Sequence, residues 1–470
     1  MNTTWNVSEI LSATGGTCPG QWVATSVSID TRSLTAGALF VALQGAQHDG
    51  HEYVAEALKK GAVAALVSRE VPGIDPAQLV LVHDTQAALQ QLGIAARARS
   101  KAQFIGITGS VGKTGCKEML TTALSALGKT AKTTGNLNNH LGVPLTLANL
   151  PQDARYAVIE MGMNHPGEIT TLSQWVRPDI SIITTVEAVH IEFFNSVEEI
   201  ADEKSAIFDG MGGKGTAILN ADNAHYARCA HHATERGLDR ILSFGSSDQA
   251  LCRMLTYRIE DFHSEIEAVI AGTHLRYRIG TVGKHWALMS VAVLAAVDAL
   301  GGDLPRAAAA LAAFTEPKGR GQIRKLAVKG GHLRLIDDSY NASPVSVEAA
   351  IGKVSELRQA AQEPCRTLVV LGDMLELGEH SRDMHVGLVP CLINNQIDLV
   401  FAAGGFMRHL YDALPETMRG SYKQTSAELA PEVVAALRPR DLVLVKGSRG
   451  SRMDRVVDAV MEHARQVEEV

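Results

Sequence analysis

The sequence predicts an α/β fold of three domains with largely parallel sheets. Short apolar runs alternate with helical patterns along almost the whole chain, which is typical of strand–helix–strand units. Aromatic residues make up only 5% of the 470 residues, so small side chains dominate, and these let helices lie close on parallel strands. A single core rarely organises more than about 250–300 residues. The length therefore indicates two or three domains, and the chain shows three α/β units in series, which we place at residues 1–99, 100–316 and 317–470.

The composition argues against several classes of protein. A net charge of −7 gives no overall attraction to nucleic acid or to an anionic membrane. The six cysteines are scattered without a C-x-x-C pair, which favours neither a zinc site nor a disulfide framework and fits a reducing cytoplasm. The N-terminus does not resemble a signal peptide, and no apolar run reaches the roughly 18 residues of a membrane span. We expect a cytoplasmic protein without a nucleic-acid partner or a membrane span.

The first domain is predicted to contain strands separated by two helices. The strand patterns cover residues 37–43, 63–68 and 77–84, and the helical patterns cover 50–62 and roughly 85–99. The second domain restarts with a strand at 102–108. Further strands there end in polar or small residues, and they cover 154–162, 181–186 and 215–222. Ligands of open α/β sheets bind at such carboxyl ends of strands.

The rest of the second domain and the third domain follow a related pattern. A more polar stretch at about 244–282 predicts short antiparallel strands, and a long helix follows at 285–302. The run Pro-Lys-Gly-Arg-Gly at 317–321 is the best candidate for a linker, because its glycines relax the backbone. Strands of the third domain are predicted at 333–339, 366–373, 399–405 and 441–448.

The stretch IGITGSVGKTGCKEML, at residues 105–120, resembles a phosphate-binding loop but does not match the usual pattern. That pattern is G-x-x-x-x-G-K-S/T, and its first glycine would fall at Ile107. The glycines stand at positions 106, 109 and 112 instead. A buried strand pattern precedes the turn and a helical pattern follows it, which places backbone N–H groups at a helix N-terminus, where anions bind.

In this interpretation two side chains of the loop contact the nucleotide and its metal ion. Lys113 would reach the β- and γ-phosphates, and the Thr114 hydroxyl would bind Mg²⁺. The alternative is a tight strand-to-helix turn whose lysine is merely solvated. The strand, the glycines and the helix occur together, so we favour the phosphate loop.

Three further residues are candidates for holding the metal ion. Glu160 follows an apolar strand, although a solvated carboxylate at a strand end is the alternative. His190 lies just beyond another strand, where a lone histidine is more often structural than a ligand. Lys204 lies in a helix that Ser196 opens. Spacing alone favours a surface helix with charge pairs there.

Polar residues elsewhere suggest a substrate pocket. The stretch TTGNLNNHLGVP, at 133–144, is either a turn-rich loop or a set of amide donors for a polar substrate. Arg320 lies between glycines and suits bidentate contact with phosphate. Asp338, Tyr340 and Asn341 follow a strand end, and the last strand carries Lys446. Each of these signals is weak alone, because basic loops are mostly solvated.

Taken together, these stretches resemble the Mur ligase family, the ATP-dependent amide-forming enzymes of peptidoglycan assembly. The phosphate loop of that family is G-x-T-G-S/T-x-G-K-T, which reads GITGSVGKT here. The other matching stretches are, in order, SIDTRSLTAGALFVALQGAQHDGH, GNLNNHLGVP, EMGMNHPGEI, DDSYNASP, LGDMLELG and KGSRGSRMD. This ordered set spans nearly the whole chain and is far more specific than any one motif.

The resemblance implies a role for each domain. The N-terminal α/β domain would bind the UDP end of a nucleotide sugar, through positions that match Thr31, Arg32, Gln44, Gly45, Asp49 and His51. The central α/β domain, of the phosphate-loop type, would bind ATP and Mg²⁺. The C-terminal domain would be Rossmann-like and would close over the site.

The resemblance also assigns roles to individual residues. Nucleotide contacts would come from Thr108, Gly109, Ser110, Val111, Gly112, Lys113, Thr114, Arg320 and Asp338. The metal ligands would be Thr114, Glu160, His190 and Lys204, with Lys204 converted to a carbamate. Together with Lys113, the last three would form the catalytic set. The remaining substrate contacts would be Asn138, Asn139, Tyr340 and Asn341.

Within the family, the motifs are most like those of members that add D-alanyl-D-alanine to UDP-N-acetylmuramoyl-tripeptide. The run SYNASP stands where diaminopimelate- or lysine-adding members would show a YAHTPD-like run and folate-type members AHNP. The chain departs from the family at Trp286 and Met289, where asparagines are expected near the base. Trp286 would either stack on adenine or pack within its helix. We expect a monomer.

Two alternatives remain open at this point. One is a ligase of the same family that adds a single amino acid, or a folate-type ligase. The other is a nucleotide-dependent binding protein without ligase chemistry. Candidate metal ligands on separate strand ends argue against a binding protein without ligase chemistry.

Overall fold

The structure, a computed structural model, describes residues 4–45, 48–189 and 191–468. Its strands form one two-stranded sheet and three larger sheets of four, nine and six strands. The three larger sheets draw their strands from successive parts of the chain, at 26–81, 103–279 and 322–446. The predicted α/β architecture with three sheet-based units is therefore confirmed. The bounds at 99 and 316 remain predictions.

The first sheet has four parallel strands in the order β3-β4-β5-β6, beside the antiparallel pair β1-β2. Its strands are β1 (Trp5–Asn6), β2 (Val23–Ala24), β3 (Ser26–Ser28), β4 (Ala38–Val41), β5 (Ala64–Val67) and β6 (Leu79–Leu81). Its helices are α1 (Val7–Thr14), α2 (Val54–Lys59) and α3 (Thr85–Arg99). The helix predicted at 85–99 is confirmed, and Asp84 caps its first turn by accepting hydrogen bonds from two backbone N–H groups.

The second sheet has nine strands in the order β15-β14-β13-β12-β11-β10-β7-β9-β8. Its strands are β7 (Gln103–Thr108), β8 (Thr130–Lys132), β9 (Tyr156–Glu160), β10 (Ile180–Ile183), β11 (Thr216–Asn220), β12 (Arg240–Gly245), β13 (Cys252–Glu260), β14 (His263–Ile270) and β15 (Thr273–Ile279). Its helices are α4 (Lys113–Ser125), α5 (Gly142–Ala148), α6 (Glu168–Val176), α7 (Val197–Ser205), α8 (Tyr226–Glu235), α9 (Lys284–Ala299) and α10 (Leu304–Ala310).

For the antiparallel part of this sheet, the predicted direction of the strands is confirmed, but the predicted strand length is wrong. The strands β13, β14 and β15 pair antiparallel, as expected. They are nine, eight and seven residues long rather than short. Every second residue of β14 is buried, which is the alternation of a strand with one face on the core.

Helices cover both faces of the nine-stranded sheet. Successive residues of β7 point to opposite faces, so that Phe104 joins one core cluster while Ile105 and Ile107 join the other. The cluster that contains Ile105 and Ile107 also includes residues of α9, in which residues 290–297 are all buried. A helix buried over this length needs no polar face, which explains its run of alanine and valine.

The third sheet has six strands in the order β16-β17-β21-β18-β19-β20, and only β16 runs antiparallel to its neighbour. Its strands are β16 (Gln322–Val328), β17 (Gly331–Asp338), β18 (Thr367–Gly372), β19 (Leu399–Ala403), β20 (Arg419–Lys423) and β21 (Leu442–Lys446). Its helices are α11 (Pro344–Gln359), α12 (Ser381–Val386), α13 (Val389–Asn394), α14 (Met407–Ala413), α15 (Ser426–Ala436) and α16 (Asp454–Glu468).

The first and second units are joined by direct packing. Leu145 and Ala148 of α5 belong to the core cluster of the first sheet, and the Trp5 indole donates a hydrogen bond to Ala148 O at 2.9 Å. The Asn149 side chain both accepts from Val27 N at 2.8 Å and donates to Val27 O at 2.9 Å. Since β3 is an edge strand, this amide pairs with its free edge.

Within the described ranges, no helix combines the length and the hydrophobicity needed to cross a membrane. All six cysteines have free thiols.

Candidate functional site

The phosphate-loop sequence forms a strand–turn–helix unit, as predicted. The strand β7 ends at Thr108, and α4 begins at Lys113 with Gly112 as its N-cap. Gly109 and Gly112 have φ angles of +146° and +85°, which side-chain-bearing residues rarely adopt. A Cβ atom on Gly109 would lie 1.9 Å from Thr184 Oγ1, on the adjoining strand end. A glycine is therefore required at position 109, because two strand ends approach each other closely there. The common phosphate-loop pattern has no glycine at this position.

Lys113 lies against its own loop. Its Nζ donates hydrogen bonds to Gly109 O at 2.6 Å and to Ser110 O at 3.3 Å. The side chain is only partly exposed, towards a cavity, and burial lowers the pKa of its ammonium below the usual value, with the Glu160 carboxylate opposing that shift. The alternative of a freely solvated lysine is wrong.

Glu160 is the last residue of β9, and it is 1% exposed. Its Oε1 accepts hydrogen bonds from Thr114 Oγ1 at 3.2 Å and from Asn138 Nδ2 at 2.9 Å. Its Oε2 is buried and has no hydrogen-bond partner among the described residues, although Lys117 Nζ lies 3.6 Å away. The alternative of a solvated carboxylate is therefore wrong.

These oxygens have the chemistry that Mg²⁺ requires. The Thr114 hydroxyl and the Glu160 carboxylate are hard oxygen donors that converge at the N-terminus of α4. Glu160 Oε2 is a buried carboxylate oxygen that accepts no hydrogen bond from the described residues, although buried oxygens normally accept one. The residues present thus fit the metal ion that the resemblance implies. His190, the third candidate ligand, lies outside the residues that the structure describes.

Lys204 is buried, contrary to the surface helix that its spacing favoured. Ser196 caps α7 as predicted, by accepting a hydrogen bond from Glu199 N. The helix turns one face inward, with Ile200 and Lys204 four residues apart on it, so Lys204 is only 2% exposed.

Burial and the nearby Lys113 ammonium lower the pKa of the Lys204 ammonium well below its usual value. Burial is the larger cause, because it removes water from around the charged form. The neutral amine of this lysine is therefore accessible at a much lower pH than that of a surface lysine.

The third sheet contributes a second polar cluster. The Arg320 guanidinium stacks on the Tyr340 ring, 4.2 Å from its centroid. Lys446 Nζ lies 2.7 Å from Asp338 Oδ2 and donates to Asn341 O at 3.0 Å. Asp338 and Lys446 are the last residues of the adjacent parallel strands β17 and β21, Tyr340 and Asn341 follow β17, and Arg320 precedes β16.

A cavity of about 670 Å³ joins the strand ends of the second and third sheets. The predicted residues that line it are Ser110, Val111, Gly112, Lys113, Thr114, Asn138, Asn139, Glu160, Arg320, Asp338, Tyr340 and Asn341. Thr108, Gly109 and Lys204 do not line it, because all three are buried.

The six residues predicted to contact the UDP end do not line this cavity. Arg32 pairs with Asp30, and 87% of its side chain is exposed. His51 is buried, and its Nε2 accepts a hydrogen bond from Ser68 N at 3.0 Å, so its Nδ1 donates to Asp49 at 2.6 Å. Hydrogen bonds from Arg69 and His51 hold the pKa of the Asp49 carboxyl well below its usual range.

Of the other positions, Gln44 and Gly45 lie in the turn before His51, and Thr31 follows β3. Gln44 and Asp49 form an isolated bridge, and Gly45 N donates to His48 O at 2.9 Å. Thr31 O accepts a hydrogen bond from Lys60 Nζ at 3.0 Å.

Two buried lysines were missed by the sequence analysis. Lys117 lies one turn after Lys113 on α4, a spacing that places both on one helix face and could have identified it. Lys353 lies on α11, lines the cavity and pairs with Glu316 at 2.9 Å. Its partner Glu316 lies 37 residues away in the chain, so the sequence contains no signal of the pair.

Trp286 packs within the protein, which was one of the two roles expected for it. The indole is 7% exposed, its ring lies 5.3 Å from that of Phe314, and it fills the space that a Cβ on Gly115 would need. It also lines the cavity, and Met289 lies against Gly112 in the loop. Stacking on adenine stays a prediction.

Comparison with known protein families agrees with this geometry along the whole chain. A family model described as the Mur ligase middle domain matches residues 107–297. Two others, described as the glutamate ligase domain of Mur ligases and the catalytic domain of the Mur ligase family, match residues 319–449 and 23–99. The chain belongs to the Mur ligase family.

Individual Mur ligases match it over nearly their full length. The UDP-N-acetylmuramoyl-tripeptide–D-alanyl-D-alanine ligase of Rickettsia prowazekii is 35% identical, and the match covers 97% of this chain and 99% of that one. The enzyme of the same name from Bacillus subtilis is 32% identical, with 94% of each chain covered.

Solved Mur ligase structures share the fold. MurF from Acinetobacter baumannii superposes with a TM-score of 0.85 at 29% identity, covering 98% of this chain and 99% of that one. MurF ligase from Thermotoga maritima, solved in complex with ADP, gives a TM-score of 0.79 at 25% identity, with 94% and 98% covered.

Proposed function

We propose that this Mur ligase adds D-alanyl-D-alanine to UDP-N-acetylmuramoyl-tripeptide in an ATP-dependent reaction that passes through an acyl phosphate. The observation that carries the proposal is the shared cavity, where the phosphate loop and Glu160 face Arg320, Asp338 and the asparagines of the second unit. The full-length similarity to ligases of that name supports the choice of substrates.

The residues of the second unit would position the phosphates. The N–H groups at the start of α4 and the Lys113 ammonium are directed at the loop, where a polyphosphate would be held. Thr114, Glu160, His190 and Lys204 would hold Mg²⁺, which supplies charge neutralisation to the phosphates. Phosphoryl transfer demands mainly positioning and electrostatic stabilisation from a protein, which such a set provides.

Lys204 would act as a carbamate. A buried ammonium beside Lys113 would repel a cation, whereas a carbamate supplies anionic oxygens. Carbamate formation needs the neutral amine, and the lowered pKa of Lys204 favours that form. The burial of Lys204 supports this role without testing it.

The third unit would close the site. Arg320 would contact the nucleotide, and the Asp338–Lys446 pair would fix the strand end beside it. The acyl phosphate reacts with water as well as with an amine, so a site between two units would protect it on closure. Tyr340 and Asn341 would contact the peptide substrates.

The first unit would bind the UDP end through Thr31, Arg32, Gln44, Gly45, Asp49 and His51. We assign residues 1–99 to this function, 100–316 to ATP and Mg²⁺, and 317–470 to the ligase domain that closes the site. The protein would act as a monomer in the cytoplasm, where both nucleotide substrates occur.

Phosphate release from ATP tests the proposal. Release should require both UDP-N-acetylmuramoyl-tripeptide and D-alanyl-D-alanine, because the dipeptide amine completes the turnover. Equal release without the dipeptide would refute the proposal. Stimulation by L-glutamate in place of the dipeptide would identify a different ligase of the same family.

A further inference from the structure

A buried ammonium holds both ends of the segment that carries Arg320. Lys353 Nζ lies 2.9 Å from Glu316 Oε1 and donates a hydrogen bond to Gly321 O at 2.8 Å. The side chains of Lys353 and Glu316 are only 2% and 7% exposed. The Thr281 hydroxyl donates to the same Glu316 oxygen, which ties the segment to the end of the second sheet.

The geometry of the segment depends on these contacts. Gly321 has a φ angle of +93°, which other residues rarely adopt. Gly321 N donates to Asp337 O at 2.8 Å, and Tyr340 N donates to Gly319 O at 3.0 Å. Arg320 lies between these anchors, with its guanidinium over the Tyr340 ring and facing the cavity.

A buried lysine is a costly way to hold a backbone carbonyl. An apolar residue on α11 would pack without the loss of hydration that burial of an ammonium brings. The charge is balanced by Glu316, and the ammonium joins two points that are five residues apart in the chain. Such a link restricts the conformations of the residues between them.

We propose that Lys353 is a positioning residue that holds Arg320 in the nucleotide cavity by fixing the segment 316–321 at both ends. This role rests on the proposed function in one respect, which is that Arg320 contacts the nucleotide. The contacts between Lys353 and the segment do not depend on that function.

The first test measures the segment without any ligand. The variant K353M/E316Q removes both charges, so neither is left buried without its partner. Hydrogen exchange of a peptide covering residues 317–322 should become at least about 10-fold faster in this variant. The reason is that local opening of the segment no longer has to break the two contacts with Lys353. K318M is the matched control, since Lys318 is an exposed lysine of the same segment, and its exchange should not change. Unchanged exchange in K353M/E316Q would overturn the inference.

The second test asks whether Lys353 acts through Arg320. Binding of ADP with Mg²⁺, measured by calorimetry, should weaken about 10-fold in R320A and to a similar extent in K353M/E316Q. Combining the changes should cause no further loss, because both act on the same contact. The KM for ATP should rise, while the KM for the UDP-linked substrate should stay the same.

Additive losses would overturn the inference, since Lys353 would then act independently of Arg320. A protein that folds but fails to bind ADP at all would instead contradict the proposed function. In that case the exchange measurement still decides whether Lys353 fixes the segment.

Discussion

Lys117 Nζ lies 3.6 Å from Glu160 Oε2 and donates a hydrogen bond to Gly135 O at 2.9 Å. The Lys117 side chain has no exposed surface, and that of Glu160 is 2% exposed. The ammonium is therefore the nearest positive charge available to balance this buried carboxylate oxygen. Through Gly135 it also ties α4 to the loop that carries Asn138.

Replacing Lys117 with methionine should destabilise the protein and weaken the site. We expect the free energy of unfolding to fall by about 3 kcal/mol, because Glu160 would be left as a buried charge without its partner. Urea unfolding measures this loss. The control is K132M, since Lys132 pairs with Glu118 on α4 but is 38% exposed. A similar small loss in both variants would contradict the assigned role of Lys117.

The Lys204→Ala variant tests the carbamate. Phosphate release should be abolished, and short-chain carboxylic acids should restore part of it by placing an anionic group in the space left by the side chain. The exposed Lys214→Ala serves as the control and should show neither loss nor rescue. Full activity of Lys204→Ala without any added acid would exclude the carbamate.

Gly109→Ala should disable the phosphate loop. The new Cβ would overlap Thr184 Oγ1, so the loop has to move, and a shift of about 1 Å in a positioning element can reduce turnover by about 100-fold. Gly73→Ala also replaces a glycine with a positive φ, at +79°, but its Cβ would meet nothing within 4 Å. It should cost only about 1 kcal/mol of stability and no activity. Equal activity of the two variants would show that the contact with Thr184 is not critical.

His385 should make the protein less stable as the pH falls below about 6.5. Burial lowers the pKa of this imidazole, whose Nε2 accepts a hydrogen bond from Met374 N at 3.0 Å. The unfolded chain then binds more protons than the folded chain, so stability is lost as the pH falls through the unfolded pKa, by at most about 1.4 kcal/mol per pH unit.

Urea unfolding at pH 7.5 and 5.5 measures this effect. His385→Gln should reduce the difference between the two pH values, because the titrating group is gone. His380→Gln is the control, since that side chain is 56% exposed. No change in pH dependence for His385→Gln would show that the destabilisation arises from other groups.

The sequence identified the elements whose signal is local. The strand β7, the loop and α4 follow from adjacent apolar, glycine and helical patterns, and the end of β9 followed in the same way. A parallel sheet then brings such strand ends to one edge, which is why Thr114 and Glu160 meet.

The features that the sequence did not reveal depend on contacts between residues far apart in the chain. Spacing along α7 does not reveal which face is covered by other helices, so Lys204 was placed on the surface from spacing alone. The pairing of Lys353 with Glu316 joins residues 37 apart in the chain, and no local pattern indicates it. The domain bounds and the contacts to UDP stay predictions.

The packing of α5 against α3 has a consequence for how the protein loses its structure. The core cluster of the first sheet is completed by Leu145 and Ala148, which lie beyond the strand that opens the second sheet. A fragment that ends at residue 99 would lack these side chains and the Asn149 amide that covers the free edge of β3. We therefore expect the N-terminal unit to melt in one cooperative transition with the unit that follows it.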